Sequence, residues 1–318
     1  MQSVKTKAMV ETGLLSAIAV IFISFWWYMP ILGGFGNMLW PVVPIVLGHK
    51  HGIRYAVLSV AIVGFIGAMI FGPLVSAVQV LSFGSLSILI ALSYVKNWNY
   101  LARYFVPALG FLVGFLIQLA IANYTMGGNL LGSMEMQLGA AQEAMRANYE
   151  AMGYAEDQIQ QMLTFSNEIV KQMVIMFPGI AYVAGALLAF IVSSFANIIF
   201  RRQGIEVPGL RPFTEWQMPM WIAFLFGFSI FGYYWGSTRE IELLTTVSMN
   251  GLYIAKLLSW VQGLSVVLYF GKRKGFGRGI LTVAGVIALF PPLEMIVEVV
   301  GLVDMVTQYK LSHIKRAS

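Results

Sequence analysis

The sequence predicts an all-α integral membrane protein that crosses a lipid bilayer several times. Apolar runs of about twenty residues recur along the chain, and each can span the roughly 30 Å hydrocarbon core as a helix. Hydrophobic residues make up 58% of the 318 residues and charged residues only 11%, whereas soluble domains carry about 25% charged residues. We therefore expect one transmembrane domain over residues 1–318, with about 8–10 transmembrane or partly embedded helices in the lipid bilayer.

The basic residues indicate how the chain is oriented. The net charge is +6, and many Lys and Arg residues lie in alternate connectors between the apolar runs. Cytoplasmic loops of membrane proteins carry such an excess of Lys and Arg, so we expect a cytoplasmic N-terminus and no nucleic-acid partner. These connectors contain Lys50, Arg54, Lys96, Arg103, Arg201, Arg202, Arg211, Lys272, Arg273, Lys274 and Arg278.

The first two spans differ in length. Residues 8–29 have the length of a retained transmembrane helix rather than of a signal peptide, and we expect an external loop at 33–37 after them. The apolar piece Met38–Gly48 contains two prolines and reaches only about 17 Å as a helix. This second span is therefore predicted to be broken, steeply placed or partly extended, either beside a cavity or as a proline-bent packing helix.

The middle of the chain is predicted to hold a helical hairpin, a third helix and a long insertion. The helices 53–71 and 73–95 turn at Gly72-Pro73, and a helix at about 104–124 leads outward. Residues 125–172 are mostly polar with an acidic excess, which favours an external segment of one or two amphipathic helices lying over the membrane, with a break near Gly153.

Four apolar segments follow the insertion. We expect helices at about 169–200, with a kink at Pro178, at 217–236 and at 245–270. The last segment, 279–303, either crosses once or forms a hairpin at Pro291-Pro292. We favour the hairpin, because it returns the basic C-terminal residues to the cytoplasmic side.

The motif search argues against catalysis by common enzyme chemistries. The chain has no cysteine, so it has no thiolate metal site and no cysteine nucleophile. It also lacks a Walker A sequence, a His-Glu-x-x-His pair and a Gly-x-Ser-x-Gly elbow. We expect no enzyme activity, no cofactor and no metal site, and the chain cannot be its own P-loop ATPase.

Charged residues inside apolar runs are the sharper functional signal, because burying a charge in a bilayer is costly. Lys256 lies within the 245–270 helix, and Glu294 and Glu298 lie one turn apart in the last segment. We predict that Lys256 pairs with Glu294 or Glu298 beside a polar cavity. Three roles stay open: a structural ion pair, contact with a substrate or ion, or snorkelling of Lys256 to the interface.

A second group of polar and aromatic residues lies near the predicted outer ends of the helices. An interfacial aromatic belt explains most of its Trp and Tyr residues, whereas amides in apolar runs need hydrogen-bond partners. As an alternative to a belt, these residues line a cavity. The candidate lining residues are Trp26, Asn37, Trp40, Gln118, Asn123, Tyr124 and Tyr233.

Three stretches together carry a resemblance to a known family. They are Pro212–Pro219 (PFTEWQMP), then Asn250-Gly251-Leu252 with Gln262–Val267 (QGLSVV), and finally Pro291-Pro292 with Gly301–Asp304 (GLVD). In this order and spacing they resemble the YybS-like family of uncharacterised bacterial membrane proteins. That resemblance implies a multi-pass protein of the bacterial cytoplasmic membrane, and it implies no known substrate.

The YybS-like family is in turn similar to the substrate-binding S components of energy-coupling-factor (ECF) transporters. The similarity lies in the N-terminal half, residues 1–124, with its short proline-containing second span. In S components a pair of small residues near the cytoplasmic end of the first helix docks on the transmembrane coupling subunit, and Gly13 and Ala17 match that pair.

Two main functional hypotheses follow. The first is a solute-binding or transport subunit of unknown small-molecule substrate, energised by a separate coupling subunit and ATPases. The alternative is a non-transporting membrane scaffold or regulator that holds partners through its insertion or its basic loops. A membrane-embedded enzyme, in which Glu294 and Glu298 share a proton, ranks third.

Overall fold

A computed structural model describes residues 2–125, 127–128, 130–207 and 212–317. Within these residues the chain is helical and contains no β-strand. The helices are α1 (Gln2–Tyr28), α2 (Pro30–Leu39), α3 (Val42–His51), α4 (Ile53–Phe71), α5 (Pro73–Val78), α6 (Ser85–Val95), α7 (Ala102–Thr125), α8 (Leu130–Ala151), α9 (Glu156–Arg202), α10 (Trp221–Thr238), α11 (Glu242–Arg273), α12 (Arg278–Ile287), α13 (Leu293–Thr307) and α14 (Tyr309–Ala317).

The predicted class of an all-α polytopic membrane protein is confirmed. Among the described residues, six helical stretches are long and apolar enough to cross a membrane. The remaining apolar helices are shorter or less hydrophobic, so the count of 8–10 embedded helices stays a prediction. The six stretches are Lys5–Trp26, Ile53–Phe71, Pro73–Val95, Ala102–Thr125, Glu156–Arg202 and Glu242–Arg273.

The chain divides into two compact units, and each is described by itself. Unit 1 comprises Met1–Met173 and Ala181–Pro208, and unit 2 comprises Val174–Ile180 and Gly209–Ser318. Small residues allow close helix packing within unit 1, where the Gly185 backbone lies against Ala108 and Phe111 of α7.

The predicted loop at 33–37 is wrong, because these residues belong to helix α2. Proline at the first position of α2 starts the helix, since its missing N–H has no intrahelical partner there. Gly33 and Gly36 then allow α2 to pack backbone to backbone against α1. A Cβ atom at Gly36 would lie 2.1 Å from the Phe22 carbonyl oxygen. The predicted short second span is thus helix α3, separated from α2 by a turn at Trp40-Pro41.

The predicted hairpin of α4 with the following span is confirmed, with its turn at Gly72 before Pro73. Between α5 and α6 the span contains a π-helical segment, Gln79–Gly84. Such segments are rare and shift the register of the side chains that follow. Against this segment α7 packs so closely that a Cβ atom at Gly114 would lie 1.7 Å from the Leu81 carbonyl oxygen.

Residues of the long insertion form a helical hairpin of α8 and the first part of α9. The predicted break near Gly153 is confirmed, since Gly153 has a positive φ of 81°. Arg146 of α8 contacts Glu156 of α9, with 2.6 Å between its guanidinium and the carboxylate.

The predicted helix start near 169 is wrong, because α9 is one helix of 47 residues from Glu156. At 1.5 Å per residue it is about 70 Å long, which exceeds the hydrocarbon core of about 30 Å. Polar residues of the insertion and the apolar span therefore share one helix, and the excess length has to project beyond the hydrocarbon core.

In unit 2 the predicted irregularity at Pro178 is stabilised by a side chain from another helix. Proline removes a backbone donor and disturbs the preceding turn of its helix. Asn250 of α11 fills the gap: its Oδ1 accepts a hydrogen bond from the Gly179 N–H (2.6 Å) and its Nδ2 donates to the Ile175 carbonyl (2.7 Å). Asn250 thus replaces a backbone hydrogen bond of α9.

The last apolar segment is divided at Pro291-Pro292, as the hairpin prediction requires, into α12 and α13. Helix α13 crosses α11 at two glycines. A Cβ atom at Gly301 would lie 1.8 Å from the Ser259 carbonyl oxygen, and one at Gly263 would lie 1.8 Å from the Val297 carbonyl oxygen. Only glycine permits such backbone contact.

Candidate functional site

A cavity of about 230 Å³ lies between α11 and the segment containing α13. The predicted trio of charged residues meets there: Lys256 comes from α11, and Glu294 and Glu298 come from α13. The remaining lining is apolar or aromatic. The complete lining is Tyr253, Lys256, Leu257, Trp260, Leu289, Glu294 and Glu298.

The three charged groups share the cavity without a direct ion pair. Among the described residues, no nitrogen of Lys256 lies within 4.0 Å of a carboxylate oxygen of Glu294 or Glu298. Glu298 is only 9% exposed, and within the described chain its carboxylate has no hydrogen-bond partner. The three charged residues are therefore close together, as predicted, but the predicted ion pair is not formed among the described residues and open space separates the charged groups.

A second polar cluster lies on a different face of α11, and we call it the Lys310 network. It consists of Gln262, Ser265, Asp304, Lys310 and the Phe213–Met218 backbone. Gln262 is fully buried. Its Nε2 donates to Asp304 Oδ2 (2.5 Å), and its Oε1 accepts the Met218 N–H (2.9 Å). At 3.6 residues per turn, Gln262 lies about 120° around α11 from Lys256 and about 9 Å further along the helix.

Lys310, at the start of α14, closes the network. Its ammonium group donates to the Trp216 carbonyl and to Ser265 Oγ (2.6 Å), and its backbone N–H donates to Asp304 Oδ1 (2.7 Å). Ser265 in turn donates to the Phe213 carbonyl (2.7 Å). Burial lowers the pKa of Lys310 from 10.5 to about 8, against the opposing effect of the Asp304 charge.

The contacts between α11 and α13 also give their direction. Lys256 shares the cavity with Glu294 and Glu298, Gly263 meets Gly301, and Gln262 meets Asp304. Residue numbers therefore rise together along the two helices, so α11 and α13 run parallel. This brings the start of α14 beside the connector that precedes α10, which supports the predicted return of the C-terminal segment.

The Lys310 network was not predicted from the sequence. Gln262, Ser265 and Asp304 lie in the stretches that carry the family resemblance, but no role was assigned to them. Lys310 was counted only as one of the basic C-terminal residues. The amide of Gln262 within an apolar run was the available signal, because a buried amide needs partners.

In unit 1 the candidate residues Asn37 and Trp40 meet through Gln79 of the π-helical segment. Trp40 Nε1 donates to Gln79 Oε1 (3.0 Å), and Gln79 Nε2 donates to Asn37 Oδ1 (3.1 Å). All three side chains are at least 91% buried. They form a packed polar chain, which satisfies the amides without requiring a cavity.

The other predicted lining residues do not join this chain. Gln118 of α7 lines a separate apolar cavity of about 160 Å³, where its Oε1 has no hydrogen-bond partner. Asn123 lies near the C-terminal end of α7, and its backbone carbonyl accepts the Gly128 N–H. Three aromatic residues are exposed: Trp26 is 51% exposed, Tyr124 is 86% exposed and, in unit 2, Tyr233 is 42% exposed. Interfacial aromatic positions explain these three residues better than a shared cavity.

The proposed docking pair lies on the exposed face of α1. Both Gly13 and Ala17 are exposed, and a Cβ atom at Gly13 would meet no atom within 4 Å. The opposite face of α1 packs inside unit 1, where Ser16 Oγ donates to Ser59 Oγ (2.8 Å). A neighbouring helix therefore has access to the small-residue face.

In the described part of the chain, no group of three or more His, Cys, Asp or Glu residues is arranged to hold a metal ion. The Lys256 cavity combines two carboxylates and an ammonium group with an apolar and aromatic lining. A pocket of this composition suits an organic ligand that has both charged and apolar parts.

Comparison with known proteins gave one family and one relative. Residues 17–305 match the family described as "Predicted membrane protein (DUF2232)". The protein described as "Uncharacterized protein YybS" of Bacillus subtilis (strain 168) is 21% identical over 307 residues, which cover 95% of this chain and 96% of that protein. No solved structure matches the chain, and none of these comparisons supports the similarity to S components.

Proposed function

Because the chain belongs to the DUF2232 family of predicted membrane proteins, which confirms the YybS-like resemblance, we propose that it is a membrane-embedded solute-binding or transport subunit. The observation that carries this proposal is the buried Glu298 carboxylate, which lines a cavity without a partner among the described residues. A buried charge without a partner is energetically costly. A bound solute that supplies the missing partner would offset that cost.

Transport would require energy from other proteins. The sequence has no Walker A motif, so we propose that separate ATPases act through a transmembrane coupling subunit. The exposed small-residue face at Gly13 and Ala17 offers such a subunit a close helix contact. In this proposal the protein binds solute and performs no chemical reaction.

The test is purification of the full-length protein from native membranes in a mild detergent, followed by native mass spectrometry. We expect a small molecule to be retained by the wild-type protein and lost from Glu298→Gln. Glu242→Gln, which changes an exposed carboxylate at the start of α11, is the control. Absence of any retained molecule, with identical behaviour of all three proteins, would contradict solute binding.

Docking of a coupling subunit has its own test. Gly13→Leu should remove a coupling subunit from the purified complex, because a leucine side chain separates the two helices. Gly227→Leu is the matched control, since a Cβ atom at Gly227 also meets no atom within 4 Å. If both variants retain the same partners as the wild-type protein, α1 is not the docking helix.

We further propose that the protein lies in the bacterial cytoplasmic membrane with its N-terminus in the cytoplasm. The alternate basic connectors support this orientation. Since the chain has no cysteine, the single substitutions Asn97→Cys and Ser237→Cys can show on which side of the membrane each position lies. An impermeant thiol reagent applied to intact cells should label position 237 and leave position 97 unlabelled.

A scaffold function is the second candidate, and the α8–α9 hairpin favours it. Helix α9 is long enough to project beyond the membrane, and Phe165 on its polar part is 69% exposed. Replacing the hairpin by a short linker would then remove bound partners while the membrane-spanning helices stay folded. Retention of the small molecule by this deletion variant would show that solute binding does not need the hairpin.

A further inference from the structure

From the charges and shape of the Lys256 cavity we infer that its ligand is a small organic monocation, an amine or ammonium compound with an apolar body. This inference rests on the proposed solute-binding function and adds the chemical class of the solute. Three properties of the cavity support it: its net charge, its aromatic wall and its volume.

The charge of the lining residues favours a cation. Glu294 and Glu298 contribute two negative charges and Lys256 one positive charge, so the lining has an excess of one negative charge when all three groups are ionised. Both neighbouring charges act on the Glu298 carboxylate. A monocationic ligand makes the occupied cavity neutral, whereas an anion would double the imbalance. Low-dielectric surroundings make such a difference large.

The aromatic residues of the wall suit a cation with an apolar body. Trp260 lines the cavity, and its orientation is held by a hydrogen bond from its Nε1 to the Ala288 carbonyl (2.9 Å). Its indole N–H is therefore already used, which leaves the π-surface for the ligand. Organic cations bind favourably over the faces of Trp and Tyr, and Leu257 and Leu289 provide apolar contact beside them.

The volume limits the size of the ligand. A water molecule occupies about 30 Å³ of the liquid, so the 230 Å³ cavity holds roughly eight waters. This corresponds to a ligand of about ten non-hydrogen atoms.

The experiment uses three probes that share a phenyl group and differ in charge: phenethylamine, phenylalanine and 3-phenylpropanoate. Binding to the full-length protein in detergent is measured by thermal unfolding and by native mass spectrometry. We expect phenethylamine to bind at least tenfold more tightly than either other probe. Glu298→Gln should weaken phenethylamine binding at least tenfold. Lys256→Met should strengthen it, because the variant removes the positive charge that opposes a cation, and Glu242→Gln should have no effect.

The possible contrary results separate the two proposals. Preference for phenylalanine or 3-phenylpropanoate, with loss of that binding in Glu298→Gln, would overturn the cation class and leave the solute-binding function standing. Failure of all three probes to bind at millimolar concentration would overturn the cation class. If, in addition, no small molecule is retained from native membranes, the solute-binding function falls with it. Size-exclusion profiles that match the wild-type protein establish that the variants are folded.

Discussion

The two faces of α11 treat polar groups in opposite ways. On one face, the Lys256 cavity contains three charged side chains, no direct ion pair within the described chain and about 230 Å³ of space. On the other face, in the Lys310 network, Gln262, Ser265 and Asp304 each make two or more hydrogen bonds. Between them lies the glycine contact of α11 with α13.

This difference distinguishes a stabilising cluster from the proposed binding site. A buried polar group that has all its hydrogen bonds is close to neutral or stabilising, and removing one partner is costly. A buried charge without a partner destabilises the protein. The hydrogen bonds of the Lys310 network therefore stabilise unit 2, whereas the Lys256 cavity leaves the Glu298 carboxylate without a partner among the described residues.

The largest expected effect comes from the glycine contact that separates the two clusters. Gly301→Ala places a Cβ atom 1.8 Å from the Ser259 carbonyl oxygen, so α13 has to move away from α11. We expect a loss of about 3 kcal/mol or more in the free energy of unfolding. Gly285→Ala is the control, because its nearest neighbour lies 3.9 Å away. Equal thermal stability of the two variants would mean that the contact is not tight.

The next largest effect is expected from Asp304→Asn in the Lys310 network. Each carboxylate oxygen of Asp304 accepts one hydrogen bond, from the Gln262 amide and from the Lys310 N–H. In Asp304→Asn an NH₂ group replaces one of these oxygens, so two hydrogen-bond donors then face each other. We expect a loss of about 2 kcal/mol in denaturant unfolding. The exposed Glu215→Gln should be neutral, and a neutral Asp304→Asn would show that the network is not needed for stability.

A pH-dependent effect is expected at Lys310. An ordinary lysine side chain has a pKa of 10.5, and burial lowers the pKa of Lys310 to about 8 in the folded protein. Between these two pH values the unfolded chain therefore binds more protons than the folded protein. The free energy of unfolding therefore rises with pH over this range, by about 2–3 kcal/mol.

Lys310→Met removes this titration and provides the reference. Thermal unfolding of both proteins at pH 7.5 and pH 10 should show wild type gaining stability relative to the variant at the higher pH. The opposite slope would mean that the folded protein favours the charged form of Lys310.

The smallest effect on stability is expected from Glu298→Gln in the cavity. No hydrogen bond of the described chain is lost, and an unpaired buried charge is removed, so we expect no loss of stability and a gain of up to about 1 kcal/mol. Comparison with Asp304→Asn is the sharpest test of the difference between the two faces. A loss above about 2 kcal/mol for Glu298→Gln would place Glu298 among the stabilising groups instead.

The sequence predicted the spans better than their connections. The hairpin at Gly72-Pro73, the break at Gly153 and the division at Pro291-Pro292 all appear in the structure, because proline and glycine act locally. The glycines at 33–37 were misleading, since they serve helix packing rather than a loop.

For the candidate site, the sequence predicted the neighbourhood of Lys256, Glu294 and Glu298 because charge in an apolar run is conspicuous. It did not predict Gln79 as the partner of Asn37 and Trp40, because that pairing joins residues about forty positions apart. Trp26 and Tyr124 were candidates for the lining of a cavity, but both side chains are exposed in the structure.

The sequence by itself determined that the chain is a multi-pass helical membrane protein. Span length and hydrophobicity are local properties, and the bilayer requires every backbone hydrogen bond to be made within a helix. Only the tertiary structure decided which polar groups are satisfied. Gln262 finds Asp304 at a separation of 42 residues, while Glu298 is left facing a cavity, because the glycine contact sets how α11 and α13 approach each other on each side.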